Sequence, residues 1–300
     1  MNKLSIAILG PGAVGGTLAA LFWKRGFDVT VIAQEQTAKR ILREGIPFQS
    51  RSFGNGIARP RAAAGLEVPT DVLFIAVKST ALADALGRID SARLGGAVVI
   101  PVLNGIEHMN IIRNILGRRV IAGAIRTESF RDDAGRVVHA SPFLKLSMSS
   151  DGQVSIGELT DLGLTLSDDH LETSILSSEA EVLWGKLARL SALSLTLAAA
   201  GRPLGGVLAD GILKSRLTTA LAEGIGVAKH ESVVLDHSGE LAAIESLPPS
   251  FKSSLQRDVE RRHSGELDAI GGAVVRAGKK YGVECPTMEG LIAEIEGKLV

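Results

Sequence analysis

A chain of 300 residues with 45% hydrophobic content has material for one large domain or, closer to usual domain size, two. Lys+Arg and Asp+Glu balance at 33 each, which removes the electrostatic case for a nucleic-acid binder, and 4% aromatics leave little to stack on single-stranded bases. The single cysteine, Cys285, excludes an intramolecular disulfide and no Cys/His cluster has metal-ligand spacing, so no metal and a reducing, cytoplasmic compartment are expected.

From Leu4 to Trp23 the chain carries no charge, but Gly10, Pro11, Gly12, Gly15 and Gly16 interrupt the run. It therefore reads as strand, turn and helix rather than as a signal peptide or membrane span. Leu4–Leu9 is a short apolar run of strand formers. Ala13–Lys24 has helical spacing, with Val14, Leu18 and Leu21 on one face, and Asp28–Ala33 is a second strand. Together these make a βαβ unit of about thirty residues. Its turn, Gly10-Pro11-Gly12-Ala13-Val14-Gly15, is a GxGxxG sequence directly after a strand and opening a helix. The first glycine permits the tight turn, the second lets the backbone approach a pyrophosphate, and the third lets the helix pack on the sheet. The free amides and positive dipole end of the helix face the phosphates. These six residues are the expected cofactor-binding loop of a Rossmann-type dinucleotide domain.

The tip of the second strand reads Ala33-Gln34-Glu35-Gln36. Glu35 would favour NAD by holding the ribose hydroxyls; Lys39, Arg40 or Lys78 would favour NADP by pairing with its 2′-phosphate. Both outcomes stay open at this point. Buried-strand patterns follow at Val72–Val77, Ala97–Val102 and Val120–Ala124, with helical patterns at Ala81–Ile89 and Glu107–Leu116, the alternation of a doubly wound parallel sheet. The pattern changes after Ser129. Val137–His139 and Leu144–Met148 read as short antiparallel strands around turns at Asp133–Gly135 and Ser149–Gly152. From Ser178 the chain reads as helices: Ser178–Ala200, Ala209–His230, Gly239–Ser246, Ser253–Arg262, Gly265–Lys280 and Thr287–Leu299. The apolar run Leu190–Gly201 is too short to cross a bilayer. The expected fold class is thus α/β: a Rossmann-like doubly wound sheet in residues 1–175, then an all-helical substrate domain in 176–300. A soluble protein is expected, with no membrane or nucleic-acid partner and with the helical half offering a homodimer surface.

The glycine motif is followed by Val77-Lys78-Ser79 after the third strand, Asn104-Gly105 after the fourth, and Trp184-Gly185-Lys186-Leu187 opening a long helix. Then come Ser253-Ser254-Leu255-Gln256-Arg257-Asp258, Glu266-Leu267-Asp268-Ala269-Ile270 and Gly282-Val283-Glu284-Cys285-Pro286. In order and spacing the chain resembles the ketopantoate reductase (2-dehydropantoate 2-reductase) family over nearly its whole length. The resemblance implies hydride transfer from NADPH to the ketone carbon of a 2-oxo acid, a step of pantothenate biosynthesis, with NADP as cofactor and NAD as the alternative. It implies that Lys186 is the proton donor, which suits a sheltered lysine whose pKa is lowered toward the working pH. It makes Glu266 the second catalytic residue and gives substrate binding to Asn104, Ser194 and Ser254. Gln34, Lys78, Asn104 and Ser129 join the glycine loop in holding the cofactor. Each has a plainer reading: Lys186 as a surface lysine, Asn104 as a turn residue, Glu266 as a helix-dipole partner, Ser254 as an N-cap.

Three positions depart from the family pattern. Leu190 and Ser194 stand where the family has asparagines one and two turns after the lysine, and Gln34 stands where it often has arginine. Lys186, Leu190 and Ser194 share one helix face by i, i+4, i+8 spacing. The alternatives are therefore a paralogous dehydrogenase of another 2-oxo or hydroxy acid, with Leu190 lining a more apolar pocket, and a dinucleotide-sensing protein that has lost catalysis.

Overall fold

The computed structural model describes residues 4–117, 119–150 and 152–300. Strands β1 (Ser5–Leu9) and β2 (Asp28–Ile32) flank helix α1 (Ala13–Lys24) and run parallel, Ser5 opposite Asp28 and Leu9 opposite Ile32. After helix α2 (Glu35–Glu44) come β3 (Ile46–Ser50), β4 (Gly54–Ala58), β5 (Arg61–Ala63) and β6 (Val72–Ile75). A 3₁₀ turn at 79–81 leads into α3 (Leu82–Leu86), then α4 (Ser91–Leu94), β7 (Val98–Pro101) and α5 (His108–Leu116). The segment closes with β8 (Ala122–Arg126), β9 (Ser129–Arg131), β10 (Val137–His139), β11 (Lys145–Ser149), α6 (Ile156–Leu166) and β12 (Glu172–Leu176).

The central sheet is wholly parallel in the order β5-β2-β1-β6-β7. Strands β1, β6 and β7 are buried on both faces apart from Ser5, as burial between covering layers requires, while β5 forms a half-exposed edge. Phe22 of α1 stacks on Phe74 of β6 with ring centroids 5.6 Å apart. A second sheet, β4-β3-β10-β9, covers the other side of α1. The approach is close: a Cβ at Gly16 would lie 2.6 Å from Val137.

One expectation about pairing is corrected: the strand expected at Val120–Ala124 meets the parallel sheet at a Val99–Val120 bridge, but its body, β8, pairs antiparallel with β11. The strands expected at 137–139 and 144–148 both lie in antiparallel pairs, as read: β10 with β9 around the turn at 133–135, and β11 with β8. β10 lies between β9 and β3, and β11 lies between β8 and β12. β3, with Pro47, β4, with two glycines and paired with β3, and β12, largely half-exposed, complete these sheets without a continuous buried run. Asp151, inside the expected turn Ser149–Gly152, lies outside the described residues.

The chain forms two compact units, one running to Leu103 and resuming at His108–Val182, the other made of Asn104–Glu107 and Leu183–Val300. The division falls inside α7 (Glu179–Ala200) rather than at 175, because β12 completes a sheet beside β11 and so belongs to the first unit. The second unit is helical, as expected: the rest of α7, α8 (Leu204–Leu208), α9 (Gly211–His230), α10 (His237–Glu245), α11 (Ser254–Glu260), α12 (Ala273–Tyr281) and α13 (Pro286–Leu299). Its core holds Leu187, Leu195, Leu221, Ile270, Val274, Met288 and Ile295. The helix expected at Gly265–Lys280 is present as one continuous run, with a π turn at 268–272 leading into α12, and ends at left-handed Gly282. By length and composition α7 could cross a membrane, but 78% of its apolar window is buried in the fold, as in a core helix. The fold class is α/β, with an N-terminal parallel sheet and a helical C-terminal region.

Candidate active site

The candidate residues fall into two sets, one on each unit. In the first unit β1 delivers the chain into the glycine turn, where the Gly10 amide donates to the Ile32 carbonyl at 2.9 Å. Gly10 has φ +92°, and a Cβ there would lie 2.4 Å from Val77, so only glycine holds this turn. A Cβ at Gly15 would lie 2.0 Å from the Gly10 carbonyl oxygen. At Gly12, by contrast, the nearest atom to a built Cβ is 3.8 Å away, which leaves its outer face open. Helix α1 starts there with no side-chain cap and no acidic residue in its first turn. An open glycine face at an uncompensated positive helix end fits the diphosphate of a dinucleotide.

The other first-unit candidates surround this turn. Lys78 is exposed and follows Val77, the residue packed against Gly10. The Thr17 hydroxyl lies 2.9 Å from the Ala13 carbonyl and 3.1 Å from Ser129 Oγ, which ties Ser129 to the first turns of α1. Gln34 is exposed and begins α2 without a side-chain cap. Glu35, the carboxylate that would favour NAD, accepts from Lys39 Nζ at 2.6 Å. That hydrogen bond and charge hold its carboxyl below the usual glutamate range. Arg131 on β9 was not legible beforehand, being one arginine in a charged hairpin. Its guanidinium donates to the Pro11 carbonyl of the glycine loop and, at 2.6 Å, to the carbonyl of Gly135.

In the second unit the Asn104 amide donates to Glu266 at 2.8 Å, joining two sequence candidates 162 positions apart. Glu266 is buried and Asn104 half-buried. Gly105, with φ +86°, sits so close that a Cβ would lie 2.6 Å from the Ala269 carbonyl oxygen. The turn residue and the helix-start glutamate therefore form one constellation, followed at once by the π turn. Arg276 clamps it, pairing with Glu107 at 2.9 and 2.7 Å and with Asp268 at 2.6 and 3.0 Å. Hydrogen bonding to these carboxylates raises the Arg276 pKa, Glu107 first, and Arg276 lowers that of Asp268.

On α7, Lys186 and Leu190 are half-buried and Ser194 is fully buried. The Ser194 hydroxyl has no hydrogen-bond partner among the described residues, a buried polar group held ready for one. Of the two serines starting α11, Ser253 is the cap, accepting from the Gln256 amide at 3.1 Å, and Ser254 is exposed in the first turn. Cys285 is buried, and desolvation, then Glu223 and Glu289, push its thiol up to about 11, which makes it a packing residue. Among the described residues no group of three or more His, Cys, Asp or Glu could hold a metal ion.

Comparison with known proteins adds the lineage. The family model "Ketopantoate reductase PanE/ApbA" matches residues 6–151, and "Ketopantoate reductase PanE/ApbA C terminal" matches 180–298. The 2-dehydropantoate 2-reductase of Archaeoglobus fulgidus is 24% identical, the match covering 99% of this chain and 98% of that one. Among solved structures, a PanE/ApbA family ketopantoate reductase from Ralstonia eutropha JMP134 superposes with TM-score 0.85 at 23% identity, covering 98% of both chains. A D-mandelate dehydrogenase, solved with NADH and anilino(oxo)acetate, superposes with TM-score 0.87 at 21% identity, covering 98% of this chain and 97% of that one.

Proposed function

The chain belongs to the ketopantoate reductase family, a family of oxidoreductases acting on CH–OH groups, and from that premise we propose that it reduces ketopantoate to pantoate with NADPH, with Lys186 as proton donor. The observation that carries this reading is the Asn104–Glu266 hydrogen bond, a buried carboxylate oriented by an amide in the same unit as Lys186. When bound, the nicotinamide supplies a hydride. The loop Gly10–Gly15 holds the diphosphate through backbone amides and the α1 dipole. Lys186 would give its ammonium proton to the ketone oxygen of a substrate reduced at carbon by one hydride, so that the product is a 2-hydroxy acid and the lysine is reprotonated from solvent. Glu266, oriented by Asn104, orders the reacting groups. Ser254, exposed at the start of α11, and the unpartnered hydroxyl of Ser194 are the substrate's hydrogen-bonding groups.

One observation favours a second substrate. Leu190, half-buried one turn after Lys186, puts an apolar surface where an amide would serve a hydroxyl-bearing 2-oxo acid. A 2-oxo acid with an apolar side group gains there what ketopantoate loses. The test is oxidation of NADPH and NADH by the purified protein with ketopantoate and with a panel of aliphatic and aromatic 2-oxo acids. Turnover of ketopantoate at the highest kcat/KM supports the first reading. A kcat/KM at least tenfold higher for an apolar 2-oxo acid replaces it with the second. Nucleotide binding without turnover of any acid would remove the reductase reading altogether.

A further inference from the structure

The loop Asn104–Glu107 runs along the helical segment that follows Glu266, and the two keep step. Asn104 donates to Glu266 at 2.8 Å, Gly105 abuts the carbonyl of Ala269, and Glu107 accepts from Arg276. All of these residues belong to the second unit, although the chain on either side of the loop belongs to the first. The first contact joins two residues of the candidate site. The second is steric, with room for glycine alone. The third is an ion pair at the far end of the loop, between residues 169 positions apart.

The geometry of this ion pair is that of a positioning device. The Arg276 guanidinium meets Glu107 through Nε and Nη2 at 2.9 and 2.7 Å, and Asp268 through Nη1 and Nη2 at 2.6 and 3.0 Å, so each carboxylate is engaged at two points. Such a fork fixes orientation as well as distance. Helical side chains lean toward the N-terminus, which carries Arg276 back over Gly272 to Asp268. A Cβ at Gly272 would lie 2.4 Å from Asp268 Oδ1 and 2.9 Å from Arg276 Nη1, so the missing side chain leaves the bed in which the guanidinium lies. Yet Arg276 and Glu107 are about half exposed and Asp268 more so, and exposed ion pairs contribute little to folding. What the clamp supplies is register. We propose that Arg276 is a positioning residue of the reduction, holding the Asn104–Glu107 loop in step with the helix so that the Asn104 amide meets the Glu266 carboxylate. The assignment rests on the reductase reading and adds to it what sets the geometry of Glu266.

The test is steady-state turnover of whichever 2-oxo acid the full-length protein reduces best, with nucleotide titration and urea unfolding beside it. The unmodified chain is compared with Arg276→Met, Glu107→Ala, Asn104→Ala and the double variant Asn104→Ala/Arg276→Met. Arg276→Met and Glu107→Ala, which cut the same tie from its two ends, should each lower kcat about tenfold, as a small misplacement of a reacting group does. The nucleotide dissociation constant should stay within about twofold. The double variant should turn over within about twofold of Asn104→Ala alone, because a residue that acts through Asn104 then has nothing left to position. A multiplied loss in the double variant overturns the assignment and leaves the reductase reading standing. So does a kcat unchanged in both single variants, whether or not their unfolding midpoints fall. Should Arg276→Met fail to fold, Glu107→Ala, at an exposed position, takes its place in the comparison with Asn104→Ala. No turnover of any 2-oxo acid by the unmodified chain removes the reductase reading, and the assignment with it.

Discussion

Lys186 and Leu190 lie one turn apart on the same face of α7, and in the proposed reaction they divide chemistry from selectivity. Replacing Lys186 by methionine keeps an unbranched stem, one atom shorter, and removes the ammonium group. Turnover should fall by a factor of about a hundred or more, the usual contribution of a positioned acid. The dissociation constant of NADPH should stay within about twofold, because the nucleotide loop lies on the other unit. A steady-state assay beside a nucleotide titration checks both halves, and full activity in the variant would remove the proposed acid. Leu190→Asn restores an amide one turn after the lysine. Ketopantoate kcat/KM should rise in this variant by roughly tenfold, since a site that can hydrogen-bond a substrate discriminates strongly for it. Unchanged kinetics would mean that the substrate is held elsewhere.

At the scale of elements, α11 separates a structural serine from a proposed substrate-binding one. Ser253 caps the helix, so Ser253→Ala should cost about 1 kcal/mol in urea unfolding with little direct effect on KM. Ser254→Ala, at an exposed position, should raise the KM of the oxo acid and leave the unfolding midpoint unchanged. The β3–β10 pair offers a second prediction. His139 is buried, with Nδ1 2.9 Å from Ser50 Oγ and its ring stacked on Phe53. Desolvation lowers its pKa below the ordinary 6.5, opposed by the hydrogen bond to the Phe143 carbonyl. As pH falls through about 6.5 the unfolded chain takes up a proton that the folded chain refuses, so stability falls as pH is lowered and is unaffected well above 7. Urea midpoints at pH 7.5 and 5.5 should differ more for the unmodified chain than for His139→Gln. Elements also mark where the sequence stopped being informative. The β1–α1–β2 unit was legible because two unbroken apolar runs flank a glycine turn of known geometry. β4, with the sequence GNGIA, is exposed over four of its five residues, and β3 contains Pro47. Their pairing is also non-local: Phe48 meets Val137, beyond the reach of any periodicity window. The site divides the same way. Asn104 and Glu266 were legible singly, through their place in a family pattern, but their contact follows from the tertiary fold, and Arg131 carried no local signal at all.

Across the whole molecule, the glycine loop proposed to hold the nucleotide diphosphate and the proposed proton chemistry of Lys186 are assigned to different units, and a linkage experiment can read that division. A ligand that binds only the folded chain stabilises it by an amount set by its concentration over its dissociation constant, about 2.7 kcal/mol at a hundredfold excess. The unmodified chain and Lys186→Met should both gain this from saturating NADPH, since each keeps the glycine turn. Gly15→Ala cannot keep it. Its Cβ would stand 2.0 Å from the Gly10 carbonyl oxygen, backbone against backbone, so the turn must open or the start of α1 must shift. That variant should lose most of the NADPH-dependent shift in unfolding midpoint, and its unliganded midpoint should fall as well, because backbone has to yield to the added Cβ. If Gly15→Ala is stabilised as much as the unmodified chain, the diphosphate is not held by this turn. If Lys186→Met loses the shift as well, the lysine helps to hold the nucleotide, and its role as a proton donor alone has to be given up.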